Sequence, residues 1–320
     1  MGKHDVVALG ELLIDLTQNG LSGQGNPMLE ANPGGAPCNV LALLTKLGHA
    51  TAFIGKVGKD GFGNQLRAAL EETGISAEGL CWDEDVHTTL AVVHTHPDGD
   101  RDFSFYRNPG ADMRLTTEEV NRELIRQAKI FHFGTLSMTD EPVRSATYAA
   151  IAQAEQAGVL RSFDPNLRPP LWRTMEEAKE QVLYGLAHCD ILKISDNEIQ
   201  WLTGLEDYSA GIRWIQERFP QIRLILLSLG REGSRAYAGQ HMAQVAGFCV
   251  NAIETTGAGD TFFGGILHHV LTWGLRDYTE AELTEMLTFA NAAAAIVTTK
   301  KGALRVMPSE EEIRALMQEK

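Results

Sequence analysis

The chain has 320 residues, of which 44% are apolar and 22% charged, and its formal net charge at pH 7 is −14. These values are ordinary for a globular protein and provide enough chain for one large domain or two smaller ones. The acidic balance argues against a nucleic-acid partner, because no basic stripe is available to meet a phosphate backbone.

Membrane and secretory classes are excluded by the same sequence. No apolar run approaches the roughly 20 residues of a membrane span, so no membrane partner is expected. The first residues lead into a predicted strand without a secretory apolar segment. The four cysteines show no paired spacing, which favours reduced thiols and a cytoplasmic location.

The first predicted strand is followed by Asp15. Polar groups beyond the ends of parallel strands gather where ligands bind in α/β folds. Two glycines, Gly34 and Gly35, then precede a helix predicted over residues 40–47, with Asn39 in its first turn. This helix entrance exposes backbone N–H groups with no acid nearby, so it can hydrogen-bond a polyol or can simply cap the helix.

Residues 88–107 are predicted to form a β-hairpin around a turn at residues 97–100, which contains proline, aspartate and glycine. Arginine and phenylalanine alternate with other residues along the second strand. The alternating residues are Arg101, Phe103, Phe105 and Arg107. Inserted in an α/β chain, such a hairpin can serve as a lid over a site or can be an ordinary structural edge.

From residue 116 onward, predicted helices alternate with predicted strands. Thr116 and Glu119 have the spacing of a capping box, which predicts a helix that ends near Gln127. This alternation predicts a mostly parallel sheet that is covered by helices on both faces. No repeat, low-complexity segment or linker is present, so we interpret residues 1–320 as a single domain with a small lid.

Polar side chains follow the predicted strands at the points where each strand ends. They are Asp15, Asp164, Asn166, Arg168, Glu198, Ser228 and Asp260. Because the carboxyl ends of parallel strands meet at one edge of a sheet, we expect these groups to cluster there. Arg168 can fix a sugar hydroxyl or a phosphate, Glu198 can hold a hydrated Mg²⁺, and Lys193 can meet a nucleotide phosphate. A surface ion pair is the alternative role for each of these three.

A strand-like run over residues 244–253 leads into a glycine-rich turn and then into a predicted helix. Gly257 and Gly259 let a phosphate approach the free amides of the first helical turn. The same turn carries Asp260, whose charge is unfavourable beside a phosphate unless it takes a proton from an attacking nucleophile. That is the role of a phosphoryl-transfer base. The alternative is that Asp260 only caps the helix.

Two motifs are similar to the signatures of ribokinase-type (pfkB) carbohydrate kinases. They span residues 34–48 and residues 255–262, in the order and separation of that family, and the resemblance covers essentially the whole chain. Within the family the chain resembles the fructokinases most, on residues 105–113 and 164–172. The P-loop motif G-x-x-x-x-G-K-[ST] is absent from the sequence, which excludes a P-loop enzyme.

The resemblance implies a Rossmann-like, three-layer α/β core with a mostly parallel sheet and a β-lid formed by about residues 16–32 and 88–108. It implies ATP-dependent phosphorylation of a sugar, with Asp260 as general base. The amides of Gly257, Ala258 and Gly259 would then be the anion hole. The implied sugar-binding residues are Asp15, Gly34, Gly35, Asn39, Phe105, Arg107 and Arg168. The implied ATP-binding residues are Lys193, Ser228, Gly230, Gly233 and Asn291.

The resemblance also implies two ions. Mg²⁺ would accompany ATP and be held through water by Glu198, and a monovalent cation such as K⁺ would lie near Glu254 and Thr256. Three residues depart from the family pattern. Glu254 replaces an aspartate and Val306 a serine, which bears on the K⁺ site, and Ser195 replaces an asparagine, which bears on the water network around Mg²⁺.

The leading hypothesis is a fructokinase that converts D-fructose to fructose 6-phosphate. A 2-keto-3-deoxygluconate kinase is the main rival, because Arg101, Arg107 and Arg168 offer charge for a substrate carboxylate. A nucleoside kinase is a further rival within the family. Outside it, a non-catalytic sugar- or nucleotide-binding protein on the same fold is the alternative, although a binder has no need of a base such as Asp260. A nicotinamide dehydrogenase lacks support, since its glycine fingerprint is missing from the first strand–helix turn.

A homodimer clasped through the lid is also expected. A paired hairpin leaves an edge whose free backbone groups can pair with strands of a second copy.

Overall fold

The computed structural model of the protein describes residues 3–95 and 101–319. The turn predicted at residues 97–100 and the side chains of Arg101 and Phe103 lie outside this part. The strands are β1 (Val6–Leu9), β2 (Leu13–Leu21), β3 (Pro27–Gly34), β4 (Thr51–Gly58), β5 (Ser76–Asp83), β6 (Leu90–Thr95), β7 (Arg101–Tyr106), β8 (Ile130–Gly134), β9 (Leu160–Asp164), β10 (Ile191–Ser195), β11 (Leu224–Ser228), β12 (Ser234–Ala238) and β13 (His241–Val245). The helices are α1 (Ala36–Lys46), α2 (Gly61–Thr73), α3 (Arg122–Arg126), α4 (Val143–Gln156), α5 (Met175–Ala187), α6 (Asp196–Thr203), α7 (Tyr208–Arg218), α8 (Ala258–Trp273), α9 (Glu280–Thr298) and α10 (Glu310–Gln318).

The larger sheet has nine strands in the described part of the chain, in the order β13-β12-β11-β10-β9-β8-β1-β4-β5. Pairing is parallel from β11 to β5, and β12 and β13 add an antiparallel edge. Its central strands are short apolar runs buried along their whole length, as a sheet covered on both faces requires. The predicted mostly parallel sheet is confirmed.

Two layers of helices cover this sheet. Successive residues of β1 point to opposite faces, so Val6 and Ala8 join one apolar cluster and Val7 and Leu9 join the other. The first cluster contains residues of α1, α2, α8, α9 and α10, and the second contains residues of α3 to α7. The expected three-layer α/β core is therefore present. None of the helices in the described ranges combines the length and apolar character that crossing a membrane would need.

The smaller sheet has four described strands in the order β3-β2-β6-β7. The pairs β2–β3 and β6–β7 are antiparallel, and parallel pairing between β2 and β6 joins these two hairpins into one sheet. The segments assigned to the lid therefore share one sheet, which reaches inward to Leu13 and Gly34. Because Leu13 follows the end of β1 so closely, this sheet is anchored beside the carboxyl edge of the larger one.

The prediction that a helix begins after Thr116 is wrong. Glu119 accepts a hydrogen bond from the Thr116 amide at 2.9 Å, which is one half of the capping box, but its other carboxylate oxygen lies 2.8 Å from Nζ of Lys56. The helix that forms, α3, is much shorter and is capped by Asn121, whose side chain accepts a hydrogen bond from the Leu124 amide at 3.3 Å. The other half of the box is missing, because the Glu119 amide donates to the Thr116 carbonyl oxygen at 3.2 Å and not to its hydroxyl.

Candidate active site

A cleft of about 1140 Å³ lies at the carboxyl edge of the larger sheet. The chain passes from β1 to β4 and β5 on one side and later places β8, β9 and β10 on the other side. Loops that leave such a switch point run in opposite directions and open a crevice. The predicted site residues that line this cleft are Asp15, Gly35, Asn39, Phe105, Arg168, Lys193, Glu198, Ser228, Gly230, Gly233, Thr256, Gly257, Ala258, Gly259, Asp260 and Asn291.

Helix α8 enters the cleft with its amino-terminus. The strand predicted to run to residue 253 ends at Val245, and the helix begins at Ala258, so Asp260 lies in its first turn. Gly257 is the N-cap residue in a left-handed conformation with φ 78°, and a Cβ there would lie 2.6 Å from Cβ of Ala303. Glycine therefore relieves both backbone strain and a close contact at this position.

The amides at this turn differ in how they are used. The Ala258 amide donates to the carbonyl oxygen of Thr255 at 3.2 Å, and the Thr261 amide donates to that of Gly257 at 2.8 Å. Within the described residues no backbone hydrogen bond engages the amides of Gly257 and Gly259. Of the three amides expected to form an anion hole, these two are the better placed, because no backbone acceptor among the described residues occupies them. The helix dipole adds to the attraction of this turn for an anion.

Asp260 is buried and held by a residue from the other end of the chain. Nδ2 of Asn39 donates to its Oδ2 at 2.8 Å, and Asn39 belongs to the first turn of α1, which begins after Gly35. Burial raises the pKa of Asp260, while the Asn39 hydrogen bond and the charges of Lys193 and Arg168 oppose that rise. Oδ1 of Asn39 is buried and has no hydrogen-bond partner among the described residues, so its capacity as an acceptor is unused.

Lys193 brings a positive charge to the same turn. Its Nζ lies 2.9 Å and 3.2 Å from the two carboxylate oxygens of Asp164, on the neighbouring strand β9. A Cβ on Gly259 would lie 3.2 Å from this Nζ, which places the ammonium beside the glycine turn. Burial alone would lower the pKa of Lys193, but Asp164, Glu198 and Asp260 outweigh it and raise the pKa, so the side chain stays protonated.

Glu198 is a half-buried carboxylate whose oxygens are already hydrogen-bonded. The amide and hydroxyl of Ser195 each donate to its Oε2 at 2.8 Å, and the Leu167 amide donates to its Oε1 at 2.8 Å. Burial favours the neutral acid, but Lys193 and these donors outweigh it and lower the pKa of Glu198. A carboxylate bound in this way suits a hydrated Mg²⁺ through a water ligand better than direct coordination.

The far end of the cleft is built from backbone turns and a buried amide. Gly233 has φ 104°, and a Cβ there would lie 2.1 Å from the carbonyl oxygen of Val245. Asn291 accepts from the Ser234 hydroxyl at 2.8 Å and donates to the Val245 carbonyl at 3.2 Å. Asn291 therefore fixes the end of β13, and Ser228 and Gly230 line the opening beside it.

The two residues predicted for a monovalent cation are placed differently. Glu254 is buried, and its Oε2 accepts a hydrogen bond from the Gly302 amide at 2.9 Å. Thr256 lines the cleft, whereas Glu254 is not among the lining residues. Carboxylate and hydroxyl oxygens are the ligand types that hard cations prefer, so the chemistry of the pair fits K⁺.

Arg107 and Gly34 are not brought into the cleft. The Arg107 guanidinium is buried, with Nε 2.7 Å from Oδ2 of Asp112, Nη1 2.9 Å from the Thr139 hydroxyl and Nη2 2.9 Å from the Leu136 carbonyl. Arg107 directly follows β7, so this arrangement ties the root of the smaller sheet to the loop after β8. Gly34 lies against Asp15, since a Cβ there would come within 2.2 Å of Oδ2 of Asp15.

Glu11 is among the cleft residues that were not predicted from the sequence. Glu11 lines the cleft, and its Oε1 accepts a hydrogen bond from the Ala36 amide at 2.9 Å. The signal was present, because Glu11 follows the first strand at its carboxyl end, where Asp15 was selected by the same rule.

Comparison with known proteins gives consistent matches over the whole length. The model of the pfkB family carbohydrate kinases matches residues 3–310. The chain is 43% identical to probable fructokinase-4 of Arabidopsis thaliana, covering 98% of this chain and 97% of that protein. Fructokinase from Xylella fastidiosa with bound ATP superposes with a TM-score of 0.90 at 31% identity, covering 99% of each chain. A fructokinase double mutant from Vibrio cholerae O395, in fructose, ADP and potassium ion bound form, superposes with a TM-score of 0.87 at 30% identity and the same coverage.

The Arg107 arrangement predicts a specific stability effect. Arg107→Met removes the cationic partner of Asp112 and leaves a buried carboxylate with only the Thr89 hydroxyl, so we expect the free energy of unfolding to fall by about 3–5 kcal/mol. Urea denaturation followed by circular dichroism measures this change. Arg126→Met is the matched control, because it breaks an ion pair with Glu123 whose side chains are more than half exposed and should cost less than about 1 kcal/mol. Equal effects of the two variants would contradict the structural role of Arg107.

Proposed function

The chain belongs to the pfkB family of carbohydrate kinases, and we propose that it transfers the γ-phosphoryl group of ATP to D-fructose, giving fructose 6-phosphate. Curated relatives that carry the name fructokinase match nearly the whole chain, which supports fructose as the acceptor. The observation that carries the mechanism is a buried carboxylate, Asp260, in the first turn of a helix whose free amides face the same cleft.

In the proposed reaction, the Asp260 carboxylate accepts the proton of the attacking sugar hydroxyl. The hydroxyl oxygen forms a bond to the γ-phosphorus, while the bond from that phosphorus to the bridging oxygen breaks and ADP leaves with the electron pair. The proton on Asp260 then passes to solvent. The Asn39 hydrogen bond to Oδ2 fixes the carboxylate, so that Oδ1 faces the hydroxyl.

Negative charge that develops on the transferred group is met by fixed dipoles and one cation. We assign the anion hole to the amides of Gly257 and Gly259, with the Ala258 amide joining when its contact with Thr255 is released. Lys193 supplies a point charge next to this turn. Glu198 would hold a Mg²⁺ ion through water, and such an ion would neutralise charge on the ATP phosphates.

The sugar occupies the end of the cleft between α1 and the smaller sheet. Asp15, Gly35 and Asn39 offer hydrogen bonds there. Arg168 lines the same cleft, and its charge opposes the rise in the pKa of Asp260. Phe105 lines the cleft from β7 and excludes water that would otherwise compete as phosphoryl acceptor. In this assignment Arg107 and Gly34 do not touch the sugar. Arg107 holds the end of β7 in the smaller sheet, and Gly34 leaves room for the Asp15 side chain.

ATP occupies the other end of the cleft, beside Ser228, Gly230 and Gly233, with Asn291 fixing the wall. A monovalent cation such as K⁺, held by Glu254 and Thr256, would place a positive charge near the loop before α8. We place the enzyme in the cytoplasm, in keeping with the free thiol groups of Cys38, Cys81, Cys189 and Cys249.

The proposed function is tested by measuring ADP release in a coupled assay with Mg-ATP. The acceptors are fructose, glucose, ribose, 2-keto-3-deoxygluconate and adenosine, each with K⁺ and with K⁺ replaced by tetramethylammonium. We expect the highest kcat/KM for fructose and a loss of rate without K⁺. Turnover of the keto-acid alone would assign the protein as a 2-keto-3-deoxygluconate kinase, and no turnover with any acceptor would favour a binding protein on the same fold.

Asp260→Asn tests the general base. The amide keeps the size of the side chain but cannot accept the hydroxyl proton, so kcat should fall by at least about 10²-fold while thermal unfolding stays close to that of the wild type. Steady-state kinetics and differential scanning calorimetry measure the two quantities. A variant with near-normal kcat would remove Asp260 from the mechanism.

We also propose a homodimer through the smaller sheet, which here is the lid. Leu21, Met28, Leu29 and Tyr106, all on its strands, are between 47% and 67% exposed, and large exposed apolar side chains favour association. We expect light scattering to give twice the chain mass, and Leu29→Glu with Tyr106→Glu to give a monomer. Leu205→Glu, an exposed leucine outside both sheets, is the control. A wild-type monomer would refute the dimer.

A further inference from the structure

Glu11 is a buried carboxyl group at the switch point of the larger sheet. It is 4% exposed and lies just beyond β1, between the start of α1 and the loop that follows β8. It lines the large cleft and also a second cavity of about 10 Å³, the size of one water molecule, together with His132 and Asp164. Its backbone touches the glycine turn, since a Cβ on Gly35 would lie 2.4 Å from the Glu11 carbonyl oxygen.

The Glu11 carboxyl has hydrogen-bonding capacity that the protein uses only in part. Oε1 accepts from the amide of Ala36, the first residue of α1, whereas a carboxylate offers about four acceptor sites. Burial raises the pKa of Glu11 to about 7, although its own amide and that of Ala36 favour the ionised form; Asp112 raises it further and Arg107 opposes. A buried charge that is incompletely compensated gains from a hydrogen-bond donor supplied by a ligand.

The residues around Glu11 indicate which kind of ligand supplies a hydrogen-bond donor to its carboxyl group. Ala36 and Asn39 belong to the same first turn of α1, so one helical turn connects Glu11 to Asn39 and, through it, to Asp260. Asp15 and Gly35, to which the proposed function assigns sugar contacts, line the cleft beside it. A neutral polyol presents hydroxyl donors to this group, whereas a phosphate or a carboxylate would be repelled.

We infer that Glu11 is a specificity-determining residue: it accepts a hydrogen bond from a sugar hydroxyl other than the one that is phosphorylated, and thereby selects which hydroxyl reaches Asp260. This inference rests on the proposed function. It differs from a purely structural role, in which Glu11 would only hold the Ala36 amide and the start of α1.

The test combines Glu11→Ala and Glu11→Gln with a series of singly deoxygenated fructose analogues. In the wild type, we expect removal of the hydroxyl that Glu11 holds to lower kcat/KM roughly 10- to 100-fold, the scale of a hydrogen bond to a charged group. In Glu11→Ala, fructose and that one analogue should be used about equally, while the penalties for the other analogues remain. Glu11→Gln keeps an acceptor oxygen and should retain part of the discrimination.

Two results would overturn the inference. If each analogue lowers kcat/KM by the same factor in Glu11→Ala as in the wild type, Glu11 is only a helix-positioning residue. An unchanged KM for fructose in Glu11→Ala would exclude the contact. Thr45→Ala is the matched control, because it removes a side chain at the far end of α1, bonded to the Leu41 carbonyl at 2.8 Å, and should leave all ratios unchanged.

The outcome is separable from that of the proposed function. Wild-type turnover of fructose is measured first, and its failure would reject fructose irrespective of Glu11. If another sugar of the panel is the acceptor, the deoxygenated series is made from that sugar. If Glu11→Ala does not fold, as judged by circular dichroism, Glu11→Gln decides the question, since complete retention of the wild-type ratios would then overturn the contact.

Discussion

The hydrogen bond from Asn39 to Asp260 is the interaction on which the candidate site depends. It joins side chains 221 residues apart in the sequence, each in the first turn of a helix that a positive-φ glycine introduces. Because Gly35 and Gly257 have no Cβ, the two helix starts can pack closely against their neighbours. A Cβ on Gly35 would clash with the Glu11 backbone, and a Cβ on Gly257 would clash with the Ala303 side chain. The cleft, its free amides and its buried carboxylate all follow from bringing these two helix ends to one edge of the sheet.

A second set of buried contacts fixes the smaller sheet relative to that edge. Arg107 and Thr89, on the two roots of the β6–β7 hairpin, both bind the carboxylate of Asp112, and Arg107 continues to the loop after β8. Buried charge pairs of this kind are weak evidence of net stability, but they are costly to break singly. Their effect here is geometric: the hairpin that carries Phe105 is held over the cleft in one position.

The sequence predicts the parallel sheet and most of the site because both follow from local signals. Short apolar runs mark buried strands, and the carboxyl-edge rule collects side chains such as Asp15 and Asp260 without knowledge of their contacts. What could not be predicted depends on partners distant in sequence. Lys56 binds the second carboxylate oxygen of Glu119, the loop residues Leu136 and Thr139 hold Arg107 away from the cleft, and β2 pairs with β6 across more than 60 intervening residues. Glu11 carried a usable signal, but only its contact with Ala36 shows where its carboxyl group lies.

An acidic protein that handles a polyanion presents an apparent conflict, which distance resolves. The net charge of −14 is a property of the whole chain, and at physiological ionic strength exposed charges more than about 8 Å apart are largely screened. The field that a phosphate meets in the cleft is therefore set by its immediate neighbours: the protonated Lys193, the Arg168 charge and the amides at the start of α8. Since Asp164 and Glu198 keep Lys193 protonated despite its burial, the acids around the site sustain a cation beside the glycine turn. The same arrangement leaves Asp260 as a carboxylate that is short of compensation, which is the property a proton acceptor needs.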